Sequence, residues 1–175
     1  DIVDLDFQLL GGASSNSSSR TIFTQNGQDT ATATFAGWFI SPQIAAAAPI
    51  LKMDNGELKV VAKAGYIGGG FSGYTETGSQ FAATVGAQTL SVLDLYAGIT
   101  DDMLMSMTDN GPMKGQASIG VFSQTNSGSG IIPVSVIGVD TSGSVVPTGT
   151  TFGVKAGVTF DMPISDSANV GAGAN

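Results

Sequence analysis

The side chains able to do chemistry in this sequence exclude more than they offer. Histidine and cysteine are absent, which rules out Ser-His-Asp and Cys-His nucleophilic arrangements, the usual zinc and iron sites and any disulfide framework. Gly68-x-Gly70-x-x-Gly73 matches a dinucleotide-binding fingerprint, but Tyr74-Thr75-Glu76-Thr77-Gly78 follows where a helix should begin, so these glycines read as close packing or a bend. Asp101-Asp102 and Asp109-Asn110 offer oxygen ligands of the kind calcium takes, yet short acidic pairs in turns are ordinarily solvated caps. The sequon Asn16-Ser17-Ser18 reads as part of a polar loop. No cofactor and no enzymatic activity are expected. The charges left to explain are Lys59, Lys63, Asp94, Lys155 and Asp161.

Those charges sit in stretches with a period of two. Along the arm that follows Glu57, Leu58, Val60, Ala62, Ala64 and Tyr66 point one way and Lys59, Val61, Lys63, Gly65 and Ile67 the other, the signature of a strand. After the tip, residues 73–79, the return arm alternates Ser91, Leu93, Leu95, Ala97 and Ile99 with Val92, Asp94, Tyr96 and Gly98. Folding about the tip brings Asp94 close to Lys63 or Lys59, so one side of the hairpin is charged and the other aliphatic. A soluble sandwich would bury the aliphatic side; a barrel in an outer membrane would turn it to lipid and keep the charges in its lumen.

Four pieces carry a family resemblance: Gly37-Trp38-Phe39-Ile40-Ser41-Pro42-Gln43, the Asp54-Asn55-Gly56 turn, the run from Gly65 to Ser79, and the run from Thr84 to Asp94. In order and spacing they resemble the β-barrel translocator domain of bacterial autotransporters, most firmly over residues 35–100. Where such barrels often carry an acidic and a basic residue two apart, facing the lumen, this chain has Asp94 and Tyr96. The resemblance implies an outer-membrane barrel of a Gram-negative bacterium that anchors an upstream passenger domain and assists its export to the cell surface. The expected partners are outer-membrane lipid, the passenger polypeptide in cis and the barrel-assembly machinery. In this setting Lys59, Lys63, Asp94, Tyr96, Lys155 and Asp161 are candidates to face the lumen, hydrating and holding a threaded polypeptide. Pairing with one another across strands is the plainer reading. Trp38, Phe39, Tyr66, Phe152 and Phe160 are candidates for the aromatic girdles at the membrane surfaces.

Composition agrees. Charged residues make up 11% of 175, against about a quarter in soluble domains. The longest apolar run, Ile44 to Leu51, is far short of the ~20 residues a spanning helix needs. Nothing at Asp1 resembles a signal peptide. A net charge of −8 with scattered basic residues disfavours nucleic acid, since no patch can neutralise phosphates.

In chain order, a strand opens the chain at Val3 to Leu10, and Gly11 to Asp29, rich in Ser and Asn, reads as a long loop with a short extension of strand at Thr21 to Thr24. A second strand spans about residues 30–50 with a bend or bulge at Pro42, and the hairpin supplies two more. A fifth strand covers Lys114–Gln124, a sixth Phe152–Asp161, and a seventh starts at Ala168. Connections alternate: long at 11–29, 69–80 and 125–150, the last with a strand-like segment from Ile131 to Val139 inside it, and short at 52–57, 108–113 and 162–167. Outer-membrane barrels sort their connections this way, with short turns in the periplasm. The expected fold is all-β: an antiparallel up-and-down transmembrane barrel, partial at about seven to eight strands and of meander topology. Residues 1–175 form a single β-barrel domain, and because closure takes an even number of at least about eight strands, it is expected to be a fragment of a longer autotransporter translocator. The alternatives are a soluble all-β adhesin or capsid-like binding module, and a small porin-like barrel without a passenger.

Overall fold

The computed structural model describes the chain apart from residues 1, 2, 26, 109, 110, 130, 138, 145–147, 166, 167 and 175. Its strands are β1 (Asp4–Thr24), β2 (Gly27–Met53), β3 (Gly56–Phe71), β4 (Tyr74–Thr75), β5 (Ala83–Val85), β6 (Gln88–Thr108), β7 (Gly111–Gly128), β8 (Ile131–Val136), β9 (Val139–Ser144), β10 (Gly149–Ser165) and β11 (Ala168–Ala174). Seven of them form one antiparallel sheet in the order β1-β2-β3-β6-β7-β10-β11, curled into a half-barrel. Chain neighbours are sheet neighbours, as in a meander.

The alternation in sequence becomes two faces. Strand partners share a face, so the ladders carry Lys63 across to Tyr96, Phe122 and Gly153 and Ala64 across to Leu95 and Ser123. On the second face Leu5 is 74% exposed, Val154 71% and Phe152 76%. Leu93, Leu95, Ile119 and Val121 are exposed there too. Among the described residues nothing covers this face, whereas a soluble sandwich would have buried these side chains between sheets.

The strands outrun the expected ones. Residues 11–24 and 27–29 are strand and not loop: β1 and β2 pair without a break from Asp4↔Ala47 to Thr24↔Gly27. This part carries no apolar period because neither face needs one outside a membrane or core, yet the backbone ladder is indifferent to side chains. Nor does Pro42 bulge the second strand. The register reads the same on both sides of it, at Ile40↔Gly68 and Gln43↔Gly65, and shifts only between Pro49 and Leu51. Pro42 is tolerated because it lacks only the N–H and its ladder position stays opposite Leu9.

The connection at residues 72–87 is not a plain loop either, and the one at 129–148 carries strand from Ile131, as expected, over β8 and β9. They hold a second sheet, β4-β5-β8-β9, whose order repeats that of β3-β6-β7-β10. In the chain β4 and β8 follow wall strands β3 and β7, and β5 and β9 precede β6 and β10. The short turns at Asp54-Asn55 lie at the opposite end. The expected turn at Asp109-Asn110 falls outside the described residues, as do 166 and 167 of the turn expected at 162–167, while Met162 to Ser165 still belong to β10.

Among the described residues the buried apolar side chains are Ala31, Ala33, Val61, Ala83 and Ile132. All but Val61 belong to the end where the second sheet sits. The wall has no dry core of its own, as expected of a sheet with lipid on one side and a lumen on the other.

Candidate functional site

The charged face collects the expected residues. Lys63 lies opposite Tyr96, Asp94 opposite Gly65, and Lys155 opposite Gly120. These side chains help line a hollow of about 650 Å³ that is walled from β1 through β10 by Asp6, Gln8, Gln43, Lys63, Asp94, Tyr96, Gln116, Ser118 and Lys155. Lys59 and Asp161 share the face but lie nearer the short-turn end, opposite Thr100 and Lys114. A polar trough runs along the sheet. It presents uncharged hydrogen-bonding groups between isolated charges.

The pairings differ from those expected. Asp94 sits diagonally across from Lys63, and the Lys63 ammonium instead stands 6.0 Å from the centroid of the Tyr96 ring, within the range of a cation–π contact. Tyr96 can lean this way because Gly98 and Gly120 lie beneath it; a Cβ on Gly120 would meet the ring at 2.6 Å. Lys59 does not pair with Asp94. Its ammonium is 3.3 Å from Glu57 and 3.0 Å from Asp102, and Gln116 donates to Asp102 at 2.7 Å. Asp101 and Asp102 point to opposite faces, as neighbours in a strand must, so they cannot chelate calcium together. Among the described residues no cluster of acids could hold a metal.

At the far end the 72–87 connection folds onto the charged face of the β1–β2 hairpin. Arg20 clasps Glu76 through one guanidinium edge, with Nε donating to Oε1 at 3.2 Å and Nη2 to Oε2, and Nη2 also donates to the Phe81 carbonyl at 3.0 Å. The Ala83 N–H donates to the same carboxylate at 2.8 Å. Glu76 is only 6% exposed while Arg20 is 43%. The Arg20 hydrogen bond and the Ala83 N–H hold the Glu76 carboxyl below its ordinary value against the opposing effect of burial. Thr32 and Thr77 exchange backbone hydrogen bonds of 2.9 and 2.8 Å, Tyr74 stacks on Phe35 with centroids 4.6 Å apart, and Ser79 donates to Asp29.

Against this geometry, the model of one family, the autotransporter beta-domain, matches residues 1–175. The chain belongs to that family. Neither the curated proteins nor the solved structures compared with it gave a match. An autotransporter beta-domain is a translocator barrel of the Gram-negative outer membrane and not a catalytic family.

In this autotransporter beta-domain, Trp38, Tyr66, Phe152 and Phe160 lie on the aliphatic face, opposite Gly70, Leu93, Ser123 and Gly115. Phe39 does not: it pairs with Gly12 and Gly69 on the charged face and its ring lies over Gly12, so it cannot share a lipid-side girdle with Trp38. Arg20, Glu57, Glu76 and Gln116 carry no role in the sequence reading, and Asp102 enters it only as half of an acidic pair. For Lys59, Asp102 and Gln116 a register count across the ladders would have found the cluster. The Arg20–Glu76 clasp has no local signal, because it joins a strand to a loop that has no period.

Proposed function

We propose that this beta-domain anchors a passenger in cis and assists its export through a lumen lined by the charged face, with Lys59, Lys63, Asp94, Tyr96, Lys155 and Asp161 as its wetted surface. The sorting of faces supports this. Over six wall strands, polar and charged side chains gather around one hollow of about 650 Å³, while the opposite face is left apolar and bare. A peptide threaded through such a trough exchanges hydrogen bonds with uncharged groups and meets no fixed patch strong enough to trap it. The edges of β1 and β11 are open. In a bilayer, backbone groups need a closed wall, so we take these strands to pair with others of a larger barrel and residues 1–175 to be one part of a longer translocator. Assembly into the outer membrane by the barrel-assembly machinery belongs to the same proposal.

Reversing the lumen charge tests it. In Gram-negative cells making the full-length protein, Lys63→Glu with Lys155→Glu should slow the appearance of the passenger at the surface, scored by protease shaving, without lowering the amount of folded barrel in the membrane. Export at the wild-type rate with equal barrel levels would remove these residues from the path.

A further inference from the structure

We propose that Asp101 is a docking point, on the outside of the wall, for the ammonium headgroup of a phospholipid; this rests on the membrane-barrel reading. Asp101 lies on the aliphatic face, opposite Leu58 and Ala117, with Val158 next in the same row. Among the described residues that the ladders place on that face, it is the sole Asp, Glu, Lys or Arg. Its neighbour Asp102, on the charged face, has Lys59 and Gln116. Asp101 has no such partner: its Oδ1 is buried and makes no hydrogen bond. The carboxylate borders a hollow of about 480 Å³ shared with Leu58, Ile99, Ala117, Val158 and Ala174.

A bare carboxylate on a lipid face is unfavourable and calls for a partner. Depth narrows what that partner is. Leu58, its ladder partner, is two residues from Gly56 at the start of β3, about 7 Å along the strand. The next row, Met103, Gly115 and Phe160, contains a girdle candidate. Asp101 therefore sits at the margin of the apolar band, on the short-turn side, where headgroups lie. A primary ammonium there supplies opposite charge and N–H donors together. A second copy of the chain cannot, because its own aliphatic face offers no cation.

The test uses the full-length protein in nanodiscs of phosphatidylethanolamine with phosphatidylglycerol, or of phosphatidylcholine with phosphatidylglycerol, and native mass spectrometry of the lipid each barrel retains. The wild type should retain the primary-ammonium lipid about tenfold over the trimethylated one, the scale of one charge-assisted hydrogen bond. Asp101→Asn should bring the ratio to parity, Asp101→Glu should keep it, and Asp140→Asn, in the second sheet, should leave it unchanged. Equal retention by the wild type overturns the proposal, and that arm needs no variant to fold. So does a preference that survives in Asp101→Asn, or a photocrosslinker at position 101 that captures protein instead of lipid. Failure of the wild type to enter either bilayer would instead strike the barrel reading itself.

Discussion

Arg20 on β1 and Glu76 beyond the end of β3 are 56 residues apart in sequence, and their bidentate pair ties the 72–87 connection to the charged face of the β1–β2 hairpin. Beneath it lie Ala31, fully buried, and Ala33. The connection is thus held at the rim of the trough by a charge pair at one point and a small apolar contact at another, and does not stand free above it.

Glu76→Gln should loosen this attachment. The carboxylate is buried but its partner is half exposed, so solvent screening limits the loss to about 1–2 kcal/mol. Amide exchange at Thr32 and Thr77, which share backbone hydrogen bonds, should quicken about tenfold in the variant, with amides of the β3–β6 ladder unchanged. Unaltered exchange at Thr77 would mean that stacking on Phe35 alone holds the connection.

The same attachment should depend on acid. A carboxyl held below its ordinary value of 4.5 when folded contributes stability that is complete well above that value, because the released form binds protons more readily there. The contribution shrinks as pH falls below 4.5 and is gone once pH passes beneath the lowered folded value. Proteolytic nicking within residues 72–87 should therefore rise in acid for the wild type, and Glu76→Gln should flatten the profile.

The two faces should answer oppositely to a lysine. Val121→Lys on the aliphatic face is expected to cost about 2–4 kcal/mol on insertion into lipid if it lies near the midplane. Ser118→Lys, three residues away on the charged face, should cost little. Urea titration of barrels refolded into vesicles measures both, and an equal cost would contradict the assignment of faces.

Gly120→Val should disturb the lumen without touching lipid. Its new side chain enters the space of the Tyr96 ring, and overpacking of this kind typically costs about 1–3 kcal/mol. Tyr96→Ala in the same chain should recover only the part of the loss due to the ring, because a Cβ at position 120 also meets the Ala97 carbonyl oxygen at 2.5 Å; a double-mutant cycle would show the ring's share as coupling.

How much of this was legible in the sequence varied by region. Where one face of a strand is apolar throughout, as from Leu58 to Tyr66 and from Phe152 to Phe160, every second residue carries the signal. The strands and their two faces can be read there without coordinates. Where the apolar face gives out, as in Gly11 to Thr24, that signal lapses, and a Ser- and Asn-rich strand looks like a loop. Phe39 shows the limit of composition: beside Trp38 it reads as a girdle pair, but consecutive residues in a strand face opposite ways.

By itself the sequence determined the meander, the alternation of faces and the absence of any His- or Cys-based chemistry, because each follows from residue type and a local period of two. Only the tertiary structure decided who meets whom across the ladders: Lys63 with Tyr96, Lys59 with Asp102, Arg20 with Glu76, and Asp101 alone on the apolar side. Those meetings depend on register and on loops folding back over tens of residues. Backbone hydrogen bonds set the register collectively, and no short stretch of sequence encodes it.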